Sequence, residues 1–156
     1  MSEADFIYTT YIKTTPEKVW EALTTPEFTK QYWISFNVSD WKTGADWKHV
    51  SGEDGSTLIV GKVIEATPPK RLVLSWAAPA DLADESQVSF DIAVFGDMVR
   101  LDVVHTKFNA GSGMAKGVKS GWPRVLSSLK SLLETGKPLD TWEGNDAPCG
   151  AEGKAA

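Results

Sequence analysis

The sequence predicts an α+β fold in which a curved antiparallel sheet of about six to seven strands wraps around one long C-terminal helix. Over residues 111–135, large apolar side chains recur every three or four positions and form one stripe of an α-helix. Between residues 36 and 106, strand-like segments alternate with tight-turn signals, which favours an antiparallel meander. A helix of roughly 22 residues and a strand of roughly ten are each about 33 Å long, so the helix can lie across the sheet.

The chain begins with a strand and two short helices. Residues 6–13, FIYTTYIK, are rich in aromatic and β-branched side chains, which are typical of a strand. The Thr-Pro-Glu of residues 15–17 can begin a helix, with threonine as cap, proline in the first turn and glutamate at the positive end. Residues 25–27 repeat this signal, so a second short helix should run to Trp33.

The middle of the chain is predicted to be β-structure. Trp47 and His49 alternate with Lys48 and should therefore share one face of their strand. The polar segment APADLADE, residues 78–85, is predicted to be a loop. Turns are expected at residues 53–56, 68–70 and 96–97. The strands are predicted at residues 36–38, 45–50, 57–66, 71–77, 88–94 and 99–105.

The long helix contains one conflicting signal, Pro123. A proline inside a helix removes a backbone donor and clashes with the preceding turn, at about 3 kcal/mol. We therefore expect either a kink or a short first helix followed by a second with Pro123 in its first turn. Before the helix, Gly111-Ser112-Gly113 favours a loop with Ser112 as cap over an anion-binding turn.

Size and charge define the general class of protein. The 156 residues predict one domain over residues 6–135, with a disordered start (1–5) and a mostly disordered tail (136–156). The net charge of −5 argues against nucleic acid or an anionic membrane as partner. No apolar run approaches the roughly 20 residues of a membrane span, and the first residues do not resemble a signal peptide. Cys149 is the single cysteine, so a cytoplasmic protein without internal disulfides is expected. The expected oligomeric state is a monomer or a weak homodimer.

Four stretches in this order resemble a known family: residues 14–33, 61–76, 99–108 and 121–134. They are similar to the START-like or SRPBCC superfamily, and within it to the domain of activators of the heat-shock-protein-90 ATPase. The resemblance implies a helix-grip fold with a hydrophobic cavity between the sheet and the C-terminal helix. It implies no single activity, since relatives include lipid carriers, hormone receptors, polyketide cyclases and co-chaperone domains.

The candidate ligand site is this cavity. Tryptophans are numerous, seven in all, and can stack on a flat apolar molecule while their N–H groups orient it. The alternative is that they only fill the core. The residues expected to line the cavity are Trp33, Trp47, Trp76, Phe90, Ile92, His105, Trp122 and Leu126.

His105 is the candidate for chemistry, because it shares the predicted inward face with Leu101 and Val103. A buried histidine with a lowered pKa serves as acid or base, or else is a neutral core residue bonded to its neighbours. His49 is placed on the rim. No metal-ligand set, nucleophile elbow or phosphate-binding glycine loop is found, and the scattered acidic residues, Asp84 among them, are expected to be solvated.

Three functions follow from these observations. The first is a binding protein for a small apolar or aromatic molecule, with no catalytic residue, no cofactor and no covalent chemistry. The second is a cyclase- or hydrolase-like enzyme that uses His105 as acid or base. The third is a module that binds or stimulates a heat-shock-protein-90 chaperone through its outer surface.

Overall fold

The computed structural model describes residues 5–33 and 35–139. Seven strands and three helices follow one another in the order that the sequence predicts. They are β1 (Phe6–Ile12), α1 (Pro16–Thr24), α2 (Pro26–Trp33), β2 (Phe36–Ser39), β3 (Asp46–Val50), β4 (Thr57–Thr67), β5 (Arg71–Ala78), β6 (Asp81–Phe95), β7 (Met98–Thr106) and α3 (Gly113–Thr135).

The strands form one antiparallel sheet in the order β1-β7-β6-β5-β4-β3-β2. Strands β2 to β7 are a meander, and β1 pairs with β7 from Phe6 opposite His105 to Ile12 opposite Val99. Register shifts interrupt the ladders on both sides of β4 and near the end of β5, where bulges bend a sheet. The predicted helix-grip fold is confirmed: the curved sheet wraps around α3, and two short helices follow the first strand.

The helix α3 is continuous through Pro123, so the predicted split into two helices is wrong. Apolar side chains on both sides of the proline are buried, among them Trp122, Val125 and Leu126. Burying each contributes about 1.5–3 kcal/mol, which together outweighs about 3 kcal/mol lost at one proline. Ser112 caps the helix as predicted, because its Oγ accepts a hydrogen bond from the N–H of Ala115 at 3.1 Å.

The predicted loop at residues 78–85 is also wrong. Strand β5 continues to Ala78, which lies opposite Asp81 at the start of β6. The segment is polar because this end of the hairpin is largely exposed, not because it lacks regular structure. Asp84 is not simply solvated: its Oδ2 accepts a hydrogen bond from Ser112 Oγ at 3.0 Å, where a carboxylate complements the positive end of α3.

The two predicted tails fall largely outside the described residues, and so does Cys149. Residues 136–139 are described, and they lie along α3. There the N–H of Leu139 donates to Ser128 Oγ at 3.1 Å.

Candidate ligand site between the sheet and the C-terminal helix

All eight residues predicted to line a cavity lie in the core, and none is more than 5% exposed. They come from six elements: α3 and five others that meet beneath it. Trp33 ends α2, Trp47 lies on β3, Trp76 on β5, Phe90 and Ile92 on β6, His105 on β7, and Trp122 and Leu126 on α3.

Six of these residues have rings. Together with the rings of His49 and Phe108 they form what we call the aromatic cluster. Its members are Trp33, Trp47, His49, Trp76, Phe90, His105, Phe108 and Trp122. The centroid of Trp122 is 5.4 Å from those of both Trp33 and Trp76. Such separations are those at which tilted and edge-to-face aromatic pairs are favourable. Ile92 and Leu126 belong to the same core and supply aliphatic surface.

Three of the four predicted tryptophans use their indole N–H groups within the protein. Trp47 Nε1 donates to the carbonyl of Ser75 at 2.8 Å, and Trp76 Nε1 donates to Met114 Sδ at 3.3 Å. Trp122 Nε1 donates to His105 Nδ1 at 3.1 Å. Trp33 differs, because its Nε1 is fully buried and has no partner among the described residues.

The position of Trp47 depends on Gly61 in the neighbouring strand β4. A Cβ at residue 61 would collide with the carbonyl of Ser75 and with the indole nitrogen of Trp47. Glycine therefore lets the indole cross β4 and bond to β5. No larger residue fits there without moving one of these groups.

The hydrogen bonds of His105 fix its tautomer. Because an indole N–H is only a donor, Nδ1 must accept from Trp122 and the proton must be on Nε2. Nε2–H then donates to Ser86 Oγ at 2.7 Å, and the Ser86 hydroxyl donates to the carbonyl of Trp76 at 3.3 Å. Burial lowers the pKa of His105 to about 3, so the ring is neutral. Ser86 and His105 resemble a nucleophile and its base, but the histidine nitrogen facing the serine already carries a proton and cannot accept another.

His49 is fully buried, so its predicted place on the rim is wrong. Asn37, its opposite on β2, donates from Nδ2 to the carbonyl of Leu23 at 3.1 Å. The amide oxygen of Asn37 therefore faces His49 Nδ1, 2.7 Å away. His49 Nε2 has no partner among the described residues, and the His49 ring is 4.4 Å from that of Trp33. The alternation with Trp47 was the signal that placed His49 inward.

An open pocket of about 710 Å³ lies elsewhere, at the β2–β4 side of the sheet. Of the eight predicted residues, only Trp47 lines it. The described residues contain no group of three or more His, Cys, Asp or Glu side chains that could hold a metal ion. Within the same part of the chain, no helix is long and apolar enough to cross a bilayer.

This combination of a sheet gripping a long helix over an apolar interior defines a protein of the helix-grip fold. The chain belongs to the family of Activator of Hsp90 ATPase homolog 1-like proteins, whose model matches residues 13–134. No curated protein is similar enough to the chain to count as a relative.

Three solved structures are similar in fold. The Aha1 dimer from Colwellia psychrerythraea is 23% identical, with a TM-score of 0.72 over 86% of this chain and 99% of that chain. PFC0360w, an HSP90 activator from Plasmodium falciparum, is 23% identical, with a TM-score of 0.70 over 83% and 95%. DynU16, from the dynemicin biosynthetic locus, is 25% identical, with a TM-score of 0.71; the match covers 87% of this chain and 49% of that chain.

Proposed function

We propose that this protein binds a small, largely apolar aromatic molecule between the sheet and α3, without covalent chemistry. The observation that carries the proposal is the aromatic cluster, whose eight rings come from six helices and strands and one loop and contact one another between the sheet and α3. Indole faces give a flat guest a large contact area at little cost in conformational entropy. DynU16 adds support, because it belongs to a biosynthetic locus, that of dynemicin.

The hydrogen bonds of His105 favour binding over catalysis. A general base needs a free lone pair directed at the proton it removes. Both ring nitrogens of His105 are instead bonded, one to Trp122 and one to Ser86. The cyclase- or hydrolase-like alternative would need both bonds to rearrange when substrate binds.

A titration followed by NMR tests the proposal. Flavonoid-like, fatty-acid and polyketide-like compounds are added to the ¹⁵N-labelled protein, and the indole N–H signals are recorded. Binding in the proposed place shifts the signals of Trp33, Trp76 and Trp122, while Trp20, partly buried outside the aromatic cluster, serves as internal reference. Shifts confined to surface residues, or none with any compound, would contradict the proposal.

A second function is favoured by a different observation, the exposed apolar side chains on the outer side of the sheet. Tyr11 and Phe95 lie with their ring centroids 5.0 Å apart, and Ile7 is 67% exposed on the same edge strand. Such a patch suits a protein partner. Since PFC0360w is an HSP90 activator, we propose a heat-shock-protein-90 chaperone as that partner.

This second function has its own test. A heat-shock-protein-90 chaperone, added without any small molecule, should shift signals around Tyr11 and Phe95 and leave those of the aromatic cluster in place. Phe95→Ser should weaken the binding. Leu82→Ser, a similarly exposed apolar residue elsewhere on the sheet, is the matched control and should not. Equal binding by both variants would exclude the patch.

A further inference from the structure

Two buried polar atoms without partners lie on adjacent rings of the aromatic cluster. Among the buried side-chain nitrogens and oxygens of the described residues, only Trp33 Nε1 and His49 Nε2 make no hydrogen bond. The two ring centroids are 4.4 Å apart, and neither side chain is more than 1% exposed. Buried polar groups in folded proteins are nearly always paired, so two neighbouring exceptions call for an explanation.

The two atoms have opposite hydrogen-bonding character. Trp33 Nε1–H is a donor only. The amide of Asn37 is oriented by its bond to the carbonyl of Leu23, so its oxygen accepts from His49 Nδ1–H. In the neutral ring, His49 Nε2 is then an acceptor with a free lone pair. Burial lowers the pKa of His49 to about 3, which keeps that lone pair unprotonated at neutral pH.

We propose that Trp33 Nε1 and His49 Nε2 form a hydroxyl site, which binds the alcohol or phenol group of the guest. This inference rests on the function proposed above and specifies its ligand as an aromatic alcohol. A hydroxyl oxygen accepts from Trp33 and donates its own proton to His49, so one small group satisfies both atoms.

Other polar groups match the pair less well. A carboxylate has no proton to give to His49 and would place its charge in an apolar interior. An ammonium group cannot accept from Trp33, and a ketone satisfies Trp33 alone. A purely apolar guest leaves both atoms unpaired. The site therefore selects among guests of equal shape by a single hydroxyl.

The test compares two probes of nearly the same shape, 2-naphthol and naphthalene, on the full chain at pH 7. Transfer to an apolar interior alone favours naphthalene, since the hydroxyl loses its bonds to water. The hydroxyl site reverses this order: 2-naphthol should bind about tenfold to a hundredfold more tightly. The Trp33 indole proton signal and the His49 Nε2 nitrogen signal should both shift with 2-naphthol, and only slightly with naphthalene.

Variants identify the atoms responsible. Trp33→Phe keeps an aromatic ring but removes the N–H, so the preference for 2-naphthol over naphthalene should fall toward one. Trp20→Phe is the matched control, because it removes an indole N–H that lies outside the aromatic cluster. In the control, the ratio of the affinities for 2-naphthol and naphthalene should stay the same as in the unmodified protein. If Trp33→Phe does not fold, the ratio in the unmodified protein still decides the question.

The outcomes separate this inference from the function on which it rests. Equal affinity for the two probes, with shifts inside the aromatic cluster, overturns the hydroxyl site and leaves the binding function standing. If neither probe shifts an interior signal, both are overturned. A scalar coupling across a direct N–H···N bond between Trp33 and His49 overturns the hydroxyl site, since the two atoms would then satisfy each other. So does a water contact to the Trp33 indole proton that persists at saturating 2-naphthol.

Discussion

Lowering the pH from 7 to 5 should destabilise the protein through its two buried histidines. Burial lowers the pKa values of His49 and His105 to about 3, from an ordinary value of 6.5. The unfolded chain therefore takes up two protons below pH 6.5 that the folded protein does not. The stabilisation is fully present above pH 6.5 and is lost as the pH falls from there toward 3.

The magnitude follows from this difference in proton binding. Each pKa unit corresponds to about 1.4 kcal/mol, and between pH 7 and pH 5 each histidine contributes about 2 kcal/mol. The free energy of unfolding should therefore fall by about 4 kcal/mol over this range. The pKa of Glu134 is lowered by hydrogen bonds from Lys130 and from the backbone N–H of Lys13, so the effect of Glu134 on stability comes at lower pH than that of the histidines.

Urea unfolding followed by tryptophan fluorescence measures this directly at half-unit steps of pH. The slope near pH 5.5 should correspond to nearly two protons taken up on unfolding. His105→Gln and His49→Gln cannot titrate, so each single variant should show about half that slope. A free energy of unfolding that stays constant between pH 7 and pH 5 would refute the reasoning, because both histidines would then be free to ionise in the folded state.

Three further substitutions test the packing around the site, each by urea unfolding. Gly61→Ala should cost about 1–3 kcal/mol, because its Cβ overlaps a backbone carbonyl and an indole; an unchanged midpoint would contradict the close approach described above. Ser112→Ala should cost about 1 kcal/mol through loss of the α3 cap, whereas Ser120→Ala, exposed on the same helix, should change little. Trp122→Phe should cost about 1–3 kcal/mol more than Trp20→Phe, because only the former leaves a buried ring nitrogen without its donor; equal costs would show that the bond contributes nothing.

Most of the fold could be predicted because its signals are local. The Thr-Pro-Glu starts of α1 and α2, the turn residues between strands and the apolar stripe of α3 are each contained within a few turns or one hairpin. The two errors have one origin. Local composition predicted a loop at the polar residues 78–85 and allowed a helix break at Pro123. Pairing between β5 and β6 made the first segment a hairpin, and burial of the apolar side chains of α3 kept the helix continuous.

The site could be predicted only in part, for a related reason. Alternation along the strands places Trp76 and His105 inward, and the structure buries both. Which indole N–H is paired depends on contacts between residues far apart in the chain. Trp76 bonds to a methionine 38 positions away, and Trp47 to a carbonyl 28 positions away. No local pattern encodes such pairs, so the sequence alone does not show which tryptophan keeps an unpaired N–H.

The two histidines therefore differ from what the sequence predicts: His105, the candidate for chemistry, is fully bonded, and His49, predicted on the rim, has the unpaired nitrogen. His105 lies among aliphatic residues on a central strand, yet its bonds to Trp122 and Ser86 make it a completed part of the core. His49 keeps a free lone pair, and its ring is 4.4 Å from that of Trp33, whose N–H is also unpaired. Each unpaired buried group costs about 1–3 kcal/mol, and phenylalanine at position 33 would avoid one of these costs while keeping a ring. A protein of ordinary stability has only about 5–15 kcal/mol in total. A guest that bonds to both would account for a donor and an acceptor left unpaired on neighbouring rings at that cost. The hydroxyl site, rather than His105, is therefore where the function should be tested first.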